Sequence, residues 1–107
     1  VFRWSHLWPK FADYFGLEPG SVKTVDLVSY MADKAPVWDR VVEKHDLVRQ
    51  PFNAVAMWSY GRHLWMHDWD IVSSMTKARL AGFRDFVASE AMFFRLFDHF
   101  RRVRVLP

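Results

Sequence analysis

Large aromatic and aliphatic side chains recur at helical spacing near both ends of this chain, and no other feature constrains its fold as strongly. Residues three or four apart share one face of an α-helix. Near the two ends, the apolar series with this spacing are Trp4, Leu7, Trp8, Phe11, Ala12 and Phe15, and then Phe93, Leu96, Phe97 and Phe100. Both stripes predict amphipathic helices, so the chain is expected to be mostly α-helical.

Proline and glycine divide the chain into short elements. Pro9 predicts that the first helix begins just before it, and Gly16 predicts where that helix ends. A second helix is expected over residues 25–34, with Thr24 as its N-cap. The other predicted elements are helices over residues 37–46, 60–66 and 76–81, a short strand over residues 71–73, and a last helix capped by Ser89.

Composition indicates one domain that cannot bury all of its rings. The chain has 107 residues, of which 51% are hydrophobic and 18% aromatic. A buried aromatic side chain removes about 150–250 Å² from water, and a domain this small has little interior. The sequence therefore predicts a single, mostly α domain over residues 1–107, with one or two short strands. It also predicts an exposed aromatic face, which usually marks an interface or a ligand groove.

Charge and residue usage limit the partners of the chain. The net charge is +3, and the clustered cations Arg101, Arg102 and Arg104 fit a solvated helix end or an anion-binding patch. No helix-turn-helix or stacking pattern accompanies them, and no apolar run approaches the ~18–20 residues of a membrane span, so neither nucleic acid nor membrane is expected as a partner. The absence of cysteine favours a cytoplasmic location. Because the sequence does not begin with Met, we expect it to be a piece of a longer protein.

Two residue pairs have spacings that catalytic sites use. Tyr30 and Lys34 are four apart, and an ammonium beside a phenol can lower its pKa from ~10. That chemistry needs a glycine-rich nucleotide loop, yet the four glycines form no Gly-x-Gly-x-x-Gly. His63 and His67 have the spacing of a helical metal pair, but no third ligand is identified. We therefore predict no catalytic residue and no metal site.

The best candidate for a binding site is the aromatic stretch that begins at Met57. Trp58 and Tyr60 follow directly, and Trp65 comes one to two helical turns later. Rings and thioethers can line an apolar pocket without competing polar groups, and the Tyr hydroxyl can orient a ligand. The same stripe also fits an ordinary helix core. Met57, Trp58, Tyr60 and Trp65 are the predicted substrate-binding residues.

Four segments carry a resemblance to a known family. Residues 8–16 end in Tyr-Phe-Gly, residues 31–38 read Met-Ala-Asp-Lys-Ala-Pro-Val-Trp, residues 73–83 run from Ser-Ser-Met-Thr-Lys-Ala-Arg to Gly-Phe, and residues 105–107 read Val-Leu-Pro. In order and spacing they resemble the C-terminal region of an extended short-chain dehydrogenase/reductase of the NAD-dependent epimerase/dehydratase superfamily. The branch that they resemble is the progesterone 5β-reductase/iridoid synthase-like one.

This resemblance implies an activity that the chain cannot perform alone. Enzymes of the branch use NADPH to add hydride to the carbon–carbon double bond of an enone. Their nucleotide loop and their catalytic Tyr and Lys lie in an N-terminal domain, whereas their C-terminal helices cover the substrate. The family's pocket aromatic matches Tyr60, with Trp58 beside it, while Lys77 and Arg79 look structural. We expect an apolar small-molecule substrate, no cofactor in this chain, and NADPH in a full-length parent.

Two interpretations follow from these observations. In the first, the chain is the helical substrate-binding lobe of an NADPH-dependent enone reductase or epimerase-like oxidoreductase, without its Rossmann domain. In the second, it is a stand-alone helical module whose exposed aromatic face forms a homo-oligomer or binds an apolar ligand. The surplus of rings suits both.

Overall fold

The computed structural model describes residues 3–107, and it confirms the mostly α-helical fold class. Helices account for just over half of the described residues. In chain order they are α1 (Trp4–Tyr14), α2 (Leu27–Met31), α3 (Ala35–Lys44), α4 (Phe52–Val55), α5 (Trp58–Trp65), α6 (Thr76–Leu80) and α7 (Ser89–Arg102).

Helix α1 ends where the sequence predicts but begins earlier. Gly16 has a φ of 65°, and the N–H groups of Gly16 and Leu17 donate to the carbonyls of Asp13 and Ala12. This is the Schellman pattern that glycine favours. The predicted start just before Pro9 is wrong, because α1 begins at Trp4 and continues through the proline. Packed rings offset the lost backbone hydrogen bond, since the Trp4 and Trp8 rings of this helix stack with centroids 5.9 Å apart.

Helix α2 is shorter than the predicted span of residues 25–34. Its N-cap is Asp26 rather than Thr24, and the helix ends at Met31. The N–H of Lys34 donates to the carbonyl of Met31 in a turn, and α3 then begins at Ala35. A helix of five residues is too short to be stable by itself in water, so α2 depends on packing against a neighbouring element.

The predicted strand over residues 71–73 is wrong. Between residues 3 and 107 there is no strand of any kind, so the expected one or two short strands do not form. A strand is stable when a neighbouring strand satisfies its backbone N–H and C=O groups, and local β-propensity cannot supply that neighbour. The side chains of Ile71 and Val72 are each 74% exposed.

One compact unit comprises the described part of Val1–Lys23 together with Asp70–Phe94. Leu7 and Phe11 are its buried side chains. The Phe11 ring meets the rings of Phe93 and Phe94 edge-on, with centroid distances of 5.1 and 6.1 Å. Thus the predicted apolar face of α1 packs on aromatic residues of α7. On the surface of this unit, Lys10 pairs with Glu90.

The second compact unit comprises Thr24–Trp69 together with Arg95–Pro107. Val42 and Leu47 are buried there. Asp46 and Arg104 both have left-handed backbones, with φ values of 49° and 56°, and their side chains pair at 2.6 Å. The N–H of Val48 donates to the carbonyl of Arg104 at 2.8 Å. These contacts join the end of α3 to the end of α7. The prediction of one domain over residues 1–107 stays a prediction.

Candidate functional site

The four predicted binding residues lie together on one short element of the second unit. Trp58, Tyr60 and Trp65 belong to α5, and Met57 is its N-cap. The carbonyl of Met57 accepts from the N–H groups of Tyr60 and Gly61 at 3.0 and 3.1 Å, which starts the helix. The sequence predicts this helix over residues 60–66, and the structure moves its start two residues earlier.

Helix α5 packs closely against α2, and a glycine permits the approach. A Cβ placed on Gly61 would lie 2.7 Å from Cδ2 of Leu27 and 3.4 Å from Cζ3 of Trp65. The first distance is far below an ordinary carbon–carbon contact of about 3.5–4.0 Å. Gly61 therefore sets how near α2 can come to the helix that carries the candidate site.

An ion pair joins the same two helices, and a hydroxyl of α2 contacts the same carboxylate. Nε of Arg62 lies 3.2 Å from Oδ1 of Asp26, and Oγ of Ser29 donates to Oδ2 of Asp26 at 2.6 Å. The Ser29 hydrogen bond is the main reason that the pKa of Asp26 lies below its ordinary value of 3.8, and the nearby positive charge of Arg62 adds to this. Because all of these groups face solvent, the pair orients α2 more than it stabilises it.

Three of the four candidate side chains are exposed, and the fourth is not. Met57, Tyr60 and Trp65 are 73%, 56% and 43% exposed, so a thioether and two rings are accessible on α5. Trp58 is half-buried, and its ring lies 5.3 Å from that of Phe52 on α4. Its indole N–H is buried and has no hydrogen-bond partner in the described structure. Trp58 thus packs against α4, whereas the other three side chains are accessible.

Sequence reasoning missed Gly61 and Leu27, which position this surface. The available signal was a glycine inside an otherwise aromatic helical stretch, because such a glycine costs helix stability and often marks a close contact. What it contacts could not be read from the sequence, since Leu27 lies 34 positions away along the chain. Tyr30 on α2 is also 50% exposed, and it adds a further accessible ring to the second unit.

The spacing of Tyr30 and Lys34 does not produce a helical acid–base pair. Helix α2 ends at Met31, so the two residues do not share one helix. Nζ of Lys34 lies 5.1 Å from the centroid of the Tyr30 ring, a cation–π contact, and it also pairs with the carboxylate of Asp33. The Lys34 hydrogen bond holds the pKa of Asp33 below its ordinary value. Lys34 thus contacts the face of the ring, which gives the pair a packing role.

The histidine pair packs through its rings. His63 and His67 meet edge-on with centroids 4.9 Å apart, and His67 lies 4.6 Å from the ring of Trp69. In the part of the chain from residue 3 onward, no three His, Cys, Asp or Glu side chains are grouped so that they could hold a metal ion.

Two of the arginines near the carboxyl end have identified partners. Arg104 pairs with Asp46, and the side chain of Arg101 donates to the carbonyl of Pro107. A shallow cavity of about 420 Å³ lies along α7, and its lining residues are Arg95, Asp98, Arg101 and Arg102. Among residues 3–107, every helix is too short or too polar to span a lipid bilayer.

Comparison with known proteins confirms the resemblance to the progesterone 5β-reductase/iridoid synthase-like branch of extended short-chain dehydrogenases/reductases. The chain aligns with a part of oxidoreductases of this kind. It is 34% identical over its whole length to a (S)-8-oxocitronellyl enol synthase of Catharanthus roseus and 30% identical to one of Nepeta racemosa. It is 27% identical to the 3-oxo-Δ(4,5)-steroid 5β-reductase of Arabidopsis thaliana.

The match covers all of this chain but a minor part of each relative. The chain spans 28% of the length of these curated relatives. No family model matches the chain.

Proposed function

We propose that this chain is the substrate-covering lobe of an NADPH-dependent oxidoreductase that acts on apolar oxo compounds. The observation that carries the proposal is the accessible surface of α5, where Met57, Tyr60 and Trp65 are all exposed. Exposed rings and thioethers concentrated on one short helix are typical of a surface that another molecule covers.

The names of the relatives support an apolar substrate. One describes an 8-oxocitronellyl compound and the other a 3-oxo-Δ(4,5)-steroid, so each combines an oxo group with a hydrocarbon skeleton. On this chain, Met57 and Trp65 would contact the hydrocarbon and exclude water, and the hydroxyl of Tyr60 would donate to the oxo oxygen. Trp58 would keep the helix in place through its contact with Phe52.

The residues of this chain do not fit a dinucleotide cofactor. Its four glycines form no phosphate-binding loop, and the Tyr30–Lys34 pair that could otherwise exchange a proton is arranged as a cation–π contact. Hydride transfer depends on a protein that holds the nicotinamide against the substrate. The contribution that we propose for this chain is therefore to bind, orient and cover the substrate, with NADPH held by a polypeptide region outside it.

The test is a chimera in which this chain replaces the matched part of the Catharanthus roseus enzyme. NADPH oxidation is measured against the concentration of that enzyme's own substrate. Tyr60→Ala should raise KM about tenfold, because a half-exposed ring that becomes covered contributes about 1.5 kcal/mol. Tyr60→Phe, which keeps the ring, should raise KM less.

Phe86→Ala is the matched control for a lost exposed ring. Phe86 is 87% exposed and lies in the other compact unit. If Tyr60→Ala and Phe86→Ala change KM equally, α5 does not line the substrate site and the proposal is wrong.

The exposed face also suits the second candidate, a stand-alone module that associates with itself. That alternative predicts a defined oligomer of the isolated chain in sedimentation experiments, and Tyr60→Ala should then dissociate it. A monomer with an unchanged KM in the Tyr60→Ala chimera would contradict both candidates.

A further inference from the structure

The guanidinium of Arg62 has two acceptors at a single N–H group. Its Nε lies 3.2 Å from Oδ1 of Asp26, the N-cap of α2, and it also donates to Sδ of Met66 at 3.2 Å. Because Nε carries one hydrogen, the carboxylate and the thioether share it. The ion pair that joins α2 to α5 therefore competes with a sulfur atom at the end of α5.

The backbone keeps Met66 within reach of this guanidinium. Met66 is the C-cap of α5, and its N–H donates to the carbonyl of Arg62 at 3.0 Å, so the two side chains lie one helical turn apart. A thioether is a weak acceptor and a carboxylate a strong one, so Asp26 holds most of the shared hydrogen. The balance between the two acceptors depends on the chemical state of the sulfur.

The sulfur of Met66 is open to an oxidant. The residue is 64% exposed, and exposure makes a methionine susceptible to oxidation. Hydrogen peroxide supplies the oxygen: a sulfur lone pair attacks one peroxide oxygen, the O–O bond breaks and an S–O bond forms. The departing hydroxide takes the proton of the transferred oxygen and leaves as water. The sulfur is oxidised and the peroxide is reduced, so the step needs no other reactant.

We propose that Met66 is an oxidation site whose sulfoxide draws Arg62 away from Asp26 and thereby loosens the contact between α2 and α5. A sulfoxide oxygen is a stronger acceptor than a thioether, and it is attached to the atom that already contacts Nε of Arg62. The packing of Leu27 against α5 at Gly61 remains, so α2 loses orientation without detaching. Methionine sulfoxide reductases reverse the change.

The test follows the pKa of Asp26 by NMR of its side-chain carboxyl, in the full 107-residue chain before and after treatment with hydrogen peroxide. Ser29 and Arg62 both lower this pKa, and the Ser29 hydrogen bond does not involve Met66. Mass spectrometry of peptides should show an added oxygen on Met66, and the pKa of Asp26 should then rise because Arg62 lies farther away. Arg62→Gln should raise this pKa in the unoxidised chain, and peroxide should add nothing to that rise.

Two substitutions of Met66 provide the controls. Met66→Leu removes the sulfur, while Met57 and Met75 remain exposed and oxidisable. Peroxide should therefore leave the pKa of Asp26 unchanged in the Met66→Leu chain. Met66→Gln places a neutral carbonyl oxygen on a side chain of similar length, and it should raise the pKa of Asp26 without any oxidant. Treatment of the oxidised original chain with sulfoxide reductases should lower this pKa again.

Several results would overturn the proposal. One is that Met66 stays unoxidised while other methionines gain oxygen, and another is that the pKa of Asp26 does not rise once Met66 is oxidised. Asp33 is the internal reference, because its pKa is lowered by Lys34. A joint rise of the pKa values of Asp33 and Asp26 would show loss of folded structure rather than a local change, and it would also contradict the proposal. The measurements do not use KM, so this inference and the proposed function fail separately.

Discussion

Replacing Gly61 with alanine tests the packing that positions the candidate site. Gly61 lies in the middle of α5, where alanine is intrinsically better by about 1 kcal/mol. The new methyl group, however, would lie 2.7 Å from Cδ2 of Leu27, so one of the two helices or the leucine side chain must move. Overpacking of this kind costs about 1–3 kcal/mol.

The structure favours the lower part of that range. The atom in conflict is the end of a half-buried side chain, which can rotate, and the 3.4 Å contact with Trp65 is an ordinary one. We therefore assign about 1–2 kcal/mol to the clash. After the gain in helix propensity is subtracted, Gly61→Ala should lower the free energy of unfolding by about 0–1 kcal/mol.

A double-mutant cycle with Leu27→Ala separates the two effects. Once the leucine is shortened, the clash disappears and Gly61→Ala should raise the free energy of unfolding by about 1 kcal/mol. The coupling between the two positions should equal the clash, about 1–2 kcal/mol. Urea unfolding of the four proteins, followed by far-ultraviolet circular dichroism, gives the required differences.

One result would refute this reasoning. If Gly61→Ala stabilises the chain equally with leucine or alanine at position 27, then α2 does not lie against α5 at this point. The glycine would then have no role in positioning Tyr60.

Two further predictions concern stability. Phe11→Ala should lower the free energy of unfolding by about 3 kcal/mol, because this buried ring packs on two phenylalanines of α7, whereas Phe86→Ala should change it by less than about 0.5 kcal/mol in the same urea experiment. Asp26→Asn should lower the melting temperature at neutral pH and have no such effect at about pH 2. Its pKa is lowered by Ser29 and Arg62, so its contribution is full above the unfolded value of 3.8 and is lost as the pH falls through the lower folded-state pKa. A difference that persists in acid would contradict this linkage.

Much of the fold follows from local signals in the sequence. Gly16 ends α1 at the predicted place, and α6 ends at Leu80, one residue before the predicted bound and two before Gly82, because each glycine has the positive φ that it adopts at low cost. The end of α3 was placed two residues too far along the chain, since Asp46 adopts the same left-handed conformation without being glycine. Its ion pair with Arg104 comes from a distant part of the chain and leaves no local signal.

Part of the candidate site was also predictable, because it too has a local pattern in the sequence. The aromatic stretch of α5 is visible as a pattern, and its residues prove to lie on one helix. Which of these side chains are buried was not predictable from the pattern. Trp58 is half-buried because it packs on Phe52, and Tyr60 is exposed because no other element of the described chain covers it. The assignment of these residues to substrate binding stays a prediction.

By itself, the sequence determined that this chain is helical, where most of its helices lie, and which proteins it is similar to. Those properties depend on residue spacing, on glycine and proline geometry, and on identity along the chain. Tertiary structure decided that α1 runs through Pro9, that Gly61 admits α2 against α5, and that residues 71–73 form no strand within the described chain. The first outcome depends on rings packed along α1, and the other two depend on the presence or lack of a neighbour distant in sequence. In each case packing free energy outweighs local propensity.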